Sequence, residues 1–169
     1  STFDIGFKLG PRLNAAGRMA NASKCVKLLT TDSRKEADAI AAMLEAENRI
    51  RQKLCRDTAE EAYEMVGAEA EDGMTIVLTG KDWHRGIIGM VASNISDRYG
   101  KPCIVLAGDK DEPGIWHGSG RSAGDFHMTE ALGKCESLLE EFGGHKGAAG
   151  VLIRDENIDQ FKACFEKAA

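Results

Sequence analysis

MTIVLTGKDWHRGIIGMVASNISDRYGKPCIVLA, Met74–Ala107, is the stretch whose reading decides the fold. Met74–Thr79 is apolar and rich in β-branched residues and reads as a strand, followed by the Gly80–Arg85 loop. Gly86–Tyr99 switches to helical spacing, with Ile87, Ile88, Val91, Ala92 and Ile95 recurring and Gly100 as a stop. Pro102–Ala107 is a short continuous apolar run, as in a buried strand. Working outward, Gly108–Gly114 is a charged turn and Ile115–Ser122 a strand interrupted by glycine. Asp125 is placed to cap a helix from about Met128 to Phe142, and Ala149–Ile153 is a short strand. Asp155 or Asn157 then caps a last helix carrying Ile158, Phe161 and Phe165. Strands separated by helices predict an α/β fold, or α+β, with a mixed sheet flanked by helices over 73–169.

Upstream, one long helix is expected over 32–67. Ser33 with Glu36 forms a capping box, and Asp32 adds negative charge where the helix dipole favours it. Ala37, Ile40, Ala41, Leu44, Leu54, Ala62, Met65 and Val66 make a helical stripe, interrupted by Asn48 and Arg51, and Gly67 is a natural stop. At ~1.5 Å per residue this helix spans about 50 Å, too long for the inside of one small domain. It reads as a connector that packs on one domain at each end. Residues 1–31 before it open abruptly, as if cut from a longer protein. The Gly10-Pro11 step predicts an extended or turning backbone there, with a short helix beginning at Asn14–Met19.

Composition narrows the function classes. Hydrophobic residues make up 43% and charged residues 29%, the balance of an ordinary globular protein, and no apolar run is long enough to span a bilayer. The five cysteines are odd in number and widely spaced without a Cys-x-x-Cys pair, which points to idle thiols in a reducing cytoplasm. A net charge of −5 argues against a generic polyanion binder. The first 28 residues are nevertheless basic, with Asp4 against Lys8, Arg12, Arg18, Lys24 and Lys27. A nucleic-acid role therefore needs a local basic cleft.

Three glycine-rich stretches carry such a role. Gly143–Gly150 (Gly-Gly-His-Lys-Gly-Ala-Ala-Gly) is nearly free of side chains and reads as an anion cradle of bare backbone amides, or as a tight helix-to-strand turn. Trp83-His84-Arg85-Gly86 sits between a strand and a helix, where a helix N-terminus meets anions; the alternative is a tryptophan covering the core with His84 and Arg85 in solvent. Gly118-Ser119-Gly120-Arg121-Ser122 pairs a guanidinium fork with hydroxyls suited to phosphate oxygens, or is a glycine-bulged edge strand. Its match to a dinucleotide fingerprint is loose. His84, His117, His127 and His145 lack metal-ligand spacing, so no metal site is expected in this chain.

Taken together, Gly10–Met19, Trp83–Gly89 with Val91-Ala92-Ser93, Gly118–Ser122 and Phe142–Gly150 occur in an order that resembles the RecJ family, single-strand-specific 5′→3′ DNA exonucleases of the DHH phosphoesterase superfamily. The resemblance implies a substrate-binding fragment: residues 1–31 a remnant of the catalytic domain or linker, 32–67 the connecting helix, and 73–169 the DHH-associated domain. It implies single-stranded DNA and the N-terminal DHH domain as partners, Mn²⁺ or Mg²⁺ in the intact enzyme, and a cytoplasmic setting. The Asp-His-His signature of that metal site does not occur in this sequence, so the fragment alone is expected to be inactive. By resemblance, Arg121, Ser122, Gly143, Gly144, His145 and Gly150 hold substrate phosphates across a cleft, with Trp83, His84, Arg12 and Arg18 near it. His145 has the further expected role of stabilising charge on the phosphoryl group. An oligonucleotide or cyclic-dinucleotide phosphodiesterase of the same superfamily, or a non-catalytic nucleic-acid or tRNA-binding module, are the alternatives.

Overall fold

The computed structural model describes residues 1–19, 22–67 and 73–169, with backbone only for Arg18 and Met19. The chain divides into two compact units, Ser1–Arg56 and Asp57–Ala169. In the first, a π-wound segment at Asp4–Leu9 leads into α1 (Gly10–Met19), followed by α2 (Ser23–Thr30) and most of α3 (Arg34–Val66). The turn expected at Gly10-Pro11 is absent: Gly10 is helical, with φ −52° and ψ −49°. Pro11 stands where the π-wound segment runs on into α1, and its missing N–H leaves a carbonyl of the preceding turn without its helical partner. The wider coil before it, closed by the Gly10 amide on the Ile5 carbonyl, relieves the usual clash of a proline ring with the preceding turn.

Ala16, Ile40 and Leu44 form the small core of this unit, with Leu13, Cys25 and Leu28 packed on it. The α3 start follows the capping-box reading only in half. Ser33 Oγ accepts the Glu36 amide at 3.4 Å, but the Glu36 carboxylate takes the Thr31 hydroxyl at 2.5 Å and Lys27 at 2.6 Å. Asn48, read as a break in the stripe, is 3% exposed and continues it, accepting from Arg51 at 3.0 Å. From Asp57 on, α3 belongs to the second unit, where Ala59, Ala62 and Val66 are buried.

The second unit is built on a five-stranded mixed sheet in the order β1-β2-β3-β5-β4. Strands β1 (Ile76–Gly80) and β2 (Cys103–Gly108) are parallel and joined by α4 (Ile88–Tyr99), the strand–helix–strand unit read from the sequence. Strands β3 (Ile115–Arg121), β5 (Ala148–Arg154) and β4 (Glu141–His145) continue the sheet antiparallel. Helices α5 (Met128–Lys134) and α6 (Ile158–Ala168) cover one face, burying Ile104, Leu106, Met128, Leu132, Ile153, Phe161 and Phe165.

Two expectations fail between residues 125 and 150. The helix predicted to reach Phe142 stops at Lys134, gives way to a 3₁₀ turn at Glu136–Leu138, and enters β4 at Glu141. Gly143-Gly144 would weaken a helix, whereas pairing with β5 satisfies backbone groups that a helix end would leave open. The glycine-rich stretch is therefore a β-hairpin turning at Lys146-Gly147, in the register Gly143↔Gly150, Gly144↔Ala149 and His145↔Ala148. Gly144, at φ 154°, lies where an added Cβ would stand 2.3 Å from the Ala148 carbonyl oxygen. The α5 cap is His127, which accepts the Glu130 amide at 3.4 Å; Asp125 pairs instead with Lys146 at 3.2 Å.

Candidate functional site

Side chains alternate along a strand and registered partners share a face. His117, Ser119 and Arg121 of β3 thus share one face with Leu152, Gly150 and Ala148 of β5 and with Glu141, Gly143 and His145 of β4. Helix α4 covers this face at Arg121, through Gly89 and Ser93. Beyond it the face is open: Gly143, His145 and Gly150 are exposed. A hollow of about 440 Å³ runs over the glycines, bordered by His117, Glu141 and Leu152.

Arg121 is the most firmly held polar side chain on this face. Its Nε donates to Ser93 Oγ at 3.1 Å, and its Nη1 donates to Ser119 Oγ at 3.1 Å and to the Gly120 carbonyl at 2.7 Å. The guanidinium lies against the α4 backbone because residue 89 is glycine. A Cβ there would stand 2.9 Å from both Arg121 Nη2 and Ser119 Oγ. A planar fork fixed in this way is pre-organised for an oxyanion.

The next residue ties the hairpin to β3. The Ser122 amide donates to the Gly147 carbonyl at 3.0 Å, its hydroxyl donates to the Phe126 carbonyl at 2.5 Å, and its carbonyl accepts Ser96 Oγ at 3.0 Å. With its proton committed, Ser122 Oγ is left as an acceptor. His145 is exposed and its Nδ1 accepts the Gly147 amide at 3.1 Å. His84 Nδ1 accepts the Gly86 amide at 3.0 Å in the same His-x-Gly arrangement. In both rings a neutral imidazole then carries its proton on Nε2, which is left as a donor.

The other sequence-derived residues fall elsewhere. Trp83 is 5% exposed, packs under Gly80 and gives its indole N–H to Glu61 at 2.8 Å, so it covers the core beneath its turn. Arg12 belongs to the first unit, where its Nε meets Glu45 at 2.5 Å and holds that carboxyl below the usual range. The Arg18 side chain lies outside the described residues. Gly118 and Gly120 make neither a fingerprint nor an edge bulge: β3 is interior and its register is continuous. A Cβ on Gly118 would meet Val151 at 2.3 Å and Leu106 at 2.6 Å, on the core face.

Ser119 lies in the Gly118–Ser122 stretch read from the sequence, and Gly89 and Ser93 in the Trp83–Ser93 pattern, but their roles around Arg121 and the pair His117–Asp109 have no signal in the spacing. The Asp109 carboxylate accepts the amides of Asp111 and Glu112 and meets His117 Nε2 at 2.7 Å. The Asp111 amide first, then His117 and the Glu112 amide, hold its pKa down. Among the described residues no group of three or more His, Cys, Asp or Glu could hold a metal ion, so these residues do not fit a metal centre. Burial pushes the Cys103 thiol up to about 12, which leaves it inert. No helix among the described residues is long and apolar enough to cross a membrane.

Known proteins share this architecture. The RecJ single-stranded-DNA-specific exonuclease of Bacillus subtilis is 39% identical over 165 residues, covering 98% of this chain and 21% of that protein. The RecJ of Escherichia coli is 35% identical over 170 residues, covering 96% and 29%. The crystal structure of RecJ from Thermus thermophilus in complex with Mg²⁺ superposes with a TM-score of 0.88 at 34% identity, over 99% of this chain and 26% of that one. A manganese-bound exonuclease RecJ gives 0.87 at 33% identity, over 99% and 41%. The likeness to RecJ drawn from the sequence therefore holds over nearly the whole chain, which spans less than half of each of these proteins. With the DHHA1 domain profile matching residues 72–169, the chain belongs to the DHHA1 domain family.

Proposed function

We propose that this chain is the substrate-holding part of a RecJ-type 5′→3′ single-stranded-DNA exonuclease, a cytoplasmic hydrolase whose phosphodiester cleavage is carried by a DHH domain elsewhere in the protein. The observation that carries the reading is Arg121, pinned by two serine hydroxyls beside an open sheet face floored with glycine. Residues 73–169 receive the strand, 32–67 connect, and 1–31 belong with the catalytic side. Divalent Mn²⁺ or Mg²⁺ belongs to that side, since the described residues of this chain do not fit one.

In this reading Arg121 presents its fork to phosphate oxygens, and Gly143, Gly144 and Gly150 let the strand approach the sheet backbone. Ser122 holds the hairpin against β3 and offers an acceptor. His145, from the same row of the sheet, directs its Nε2 proton at the phosphoryl oxygens, while His84 over Trp83 does so at the opposite end of β3. Arg12, whose charge Glu45 offsets, and Arg18 are the first-unit cations that this reading assigns to the same substrate.

The test is cleavage of single-stranded DNA with added Mn²⁺, comparing this chain with the full-length protein. Activity in the full-length protein alone is expected, and activity in this chain would overturn the division of labour. In the full-length protein His145→Ala should lower kcat about a hundredfold or more with a smaller change in DNA affinity. The reverse ranking would make His145 a simple anchor.

A further inference from the structure

The glycine-floored hollow does not end at Gly150. His117 borders it on one side and on the other borders a second hollow of about 250 Å³, lined by His84, Arg85, Asp109, Lys110 and Asp111. One imidazole thus borders both depressions and sets them side by side at the start of β3. We propose that His117, Arg85 and Lys110 form a second station here, which takes an internal backbone phosphate of the same single DNA strand whose end lies at Arg121. The proposal rests on the functional reading above and extends it to residues that reading does not use.

Three features support it. First, His117 is built to be held still. Its Nε2 is fixed at 2.7 Å by Asp109, which is itself locked by two backbone amides, and the side chain remains 34% exposed. The Asp109 carboxylate, held ionised by these donors, offsets part of the positive charge here, so a phosphate is drawn in by Arg85 and Lys110. Second, Arg85 and Lys110 have no hydrogen-bond or ion-pair partner among the described residues, so two cations stand at the rim uncommitted, against Asp111 beside them and Glu141 at the adjoining hollow. Third, the spacing suits a polymer. Four residues of β3 separate His117 from Arg121, about 13 Å, or about four nucleotides at the ~3.4 Å rise of a stacked strand. A dinucleotide at Arg121 falls short of His117, and an octanucleotide passes it.

That difference in reach is the test. Binding of 5′-phosphorylated, fluorescein-labelled oligothymidylates of two and eight nucleotides is measured on the 169-residue chain across a salt series. His117→Ala and the double variant Arg85→Ala/Lys110→Ala should each weaken the octanucleotide about tenfold and the dinucleotide less than twofold. The double variant should also flatten the octanucleotide salt dependence by about 0.7, the contribution of the one phosphate the station holds. Asp109→Asn, which keeps an acceptor for the two amides but loosens the ring, should behave like His117→Ala at an unchanged melting temperature. Equal losses at both lengths, or none, in the His117 and Arg85/Lys110 variants would overturn the second station. If those variants match wild type while Arg121→Ala binds neither oligomer, only the extension is lost. If Arg121→Ala binds both as wild type does, the functional reading itself falls.

Discussion

The two faces of the sheet use the same residue for opposite reasons. On the face under α5 and α6, Gly118 is glycine because its surroundings are full: Val151 and Leu106 occupy the space a Cβ would need. On the other face, Gly143 has nothing within 4 Å of an added Cβ, and Gly150 only the Gly118 carbonyl at 3.8 Å. The first glycine belongs to packing, and the other two keep a surface flat. Sequence shows the glycines as one kind of signal. Only the register of β3, β5 and β4 sorts them into core and site.

The largest effect expected from breaking this contrast is on the packed face. Phe161→Ala, which empties a fully buried site against Phe165, should cost about 3–5 kcal/mol in a denaturant titration, with DNA binding intact under conditions where the variant remains folded. Gly118→Ala should cost about 1–3 kcal/mol, because Val151 and Leu106 must move to admit the methyl group. Gly89→Ala sharpens the comparison by separating fold from function. Alanine favours the helix by up to about 1 kcal/mol, so thermal unfolding should move little, while the displaced Arg121 should lower DNA affinity about tenfold. Gly143→Ala should leave stability within about 0.5 kcal/mol and weaken DNA binding alone.

The smallest effect concerns pH and lies away from both faces. Glu166 accepts the Met74 and Thr75 amides at 2.5 and 2.9 Å and the Thr75 hydroxyl at 2.6 Å, holding the start of β1. Burial acts to raise its pKa, but these donors together outweigh it and the carboxyl is lowered. A lowered folded-state value adds stability that is present above the unfolded pKa and lost as pH falls through the folded one. Melting temperature should therefore drop more steeply in wild type than in Glu166→Gln as pH falls below ~4.3.

Much of this was legible in the sequence. The helical spacing of α4 and α6 and the apolar runs of β1 and β2 each carry their own signal, so those elements lie within a few residues of where they were read. Ile158, Phe161 and Phe165 are buried as their spacing implies. The hairpin was hidden because Phe142-Gly-Gly-His has no alternation to read, its strand character coming from pairing with β5. The Gly10-Pro11 helix was hidden because proline is read as a breaker, and nothing in the spacing shows the wider π-wound turn before it. For the site, chemistry alone picked out Arg121 and His145 as candidates. That they stand in one row, and that Gly89 makes room for the guanidinium, depends on contacts between elements far apart in sequence. The His117–Asp109 pair spans a turn and has no motif at all.

The central claim is that single-stranded DNA lies on the open glycine-floored face. It is tested most directly by titrating the isotopically labelled chain with a short 5′-phosphorylated single strand and following amide chemical shifts. Perturbations centred on Ser119, Arg121, Gly143, His145 and Gly150, with α5 and α6 undisturbed, are the predicted result. Shifts centred on α5 and α6, or none at a DNA excess in low salt, would contradict it.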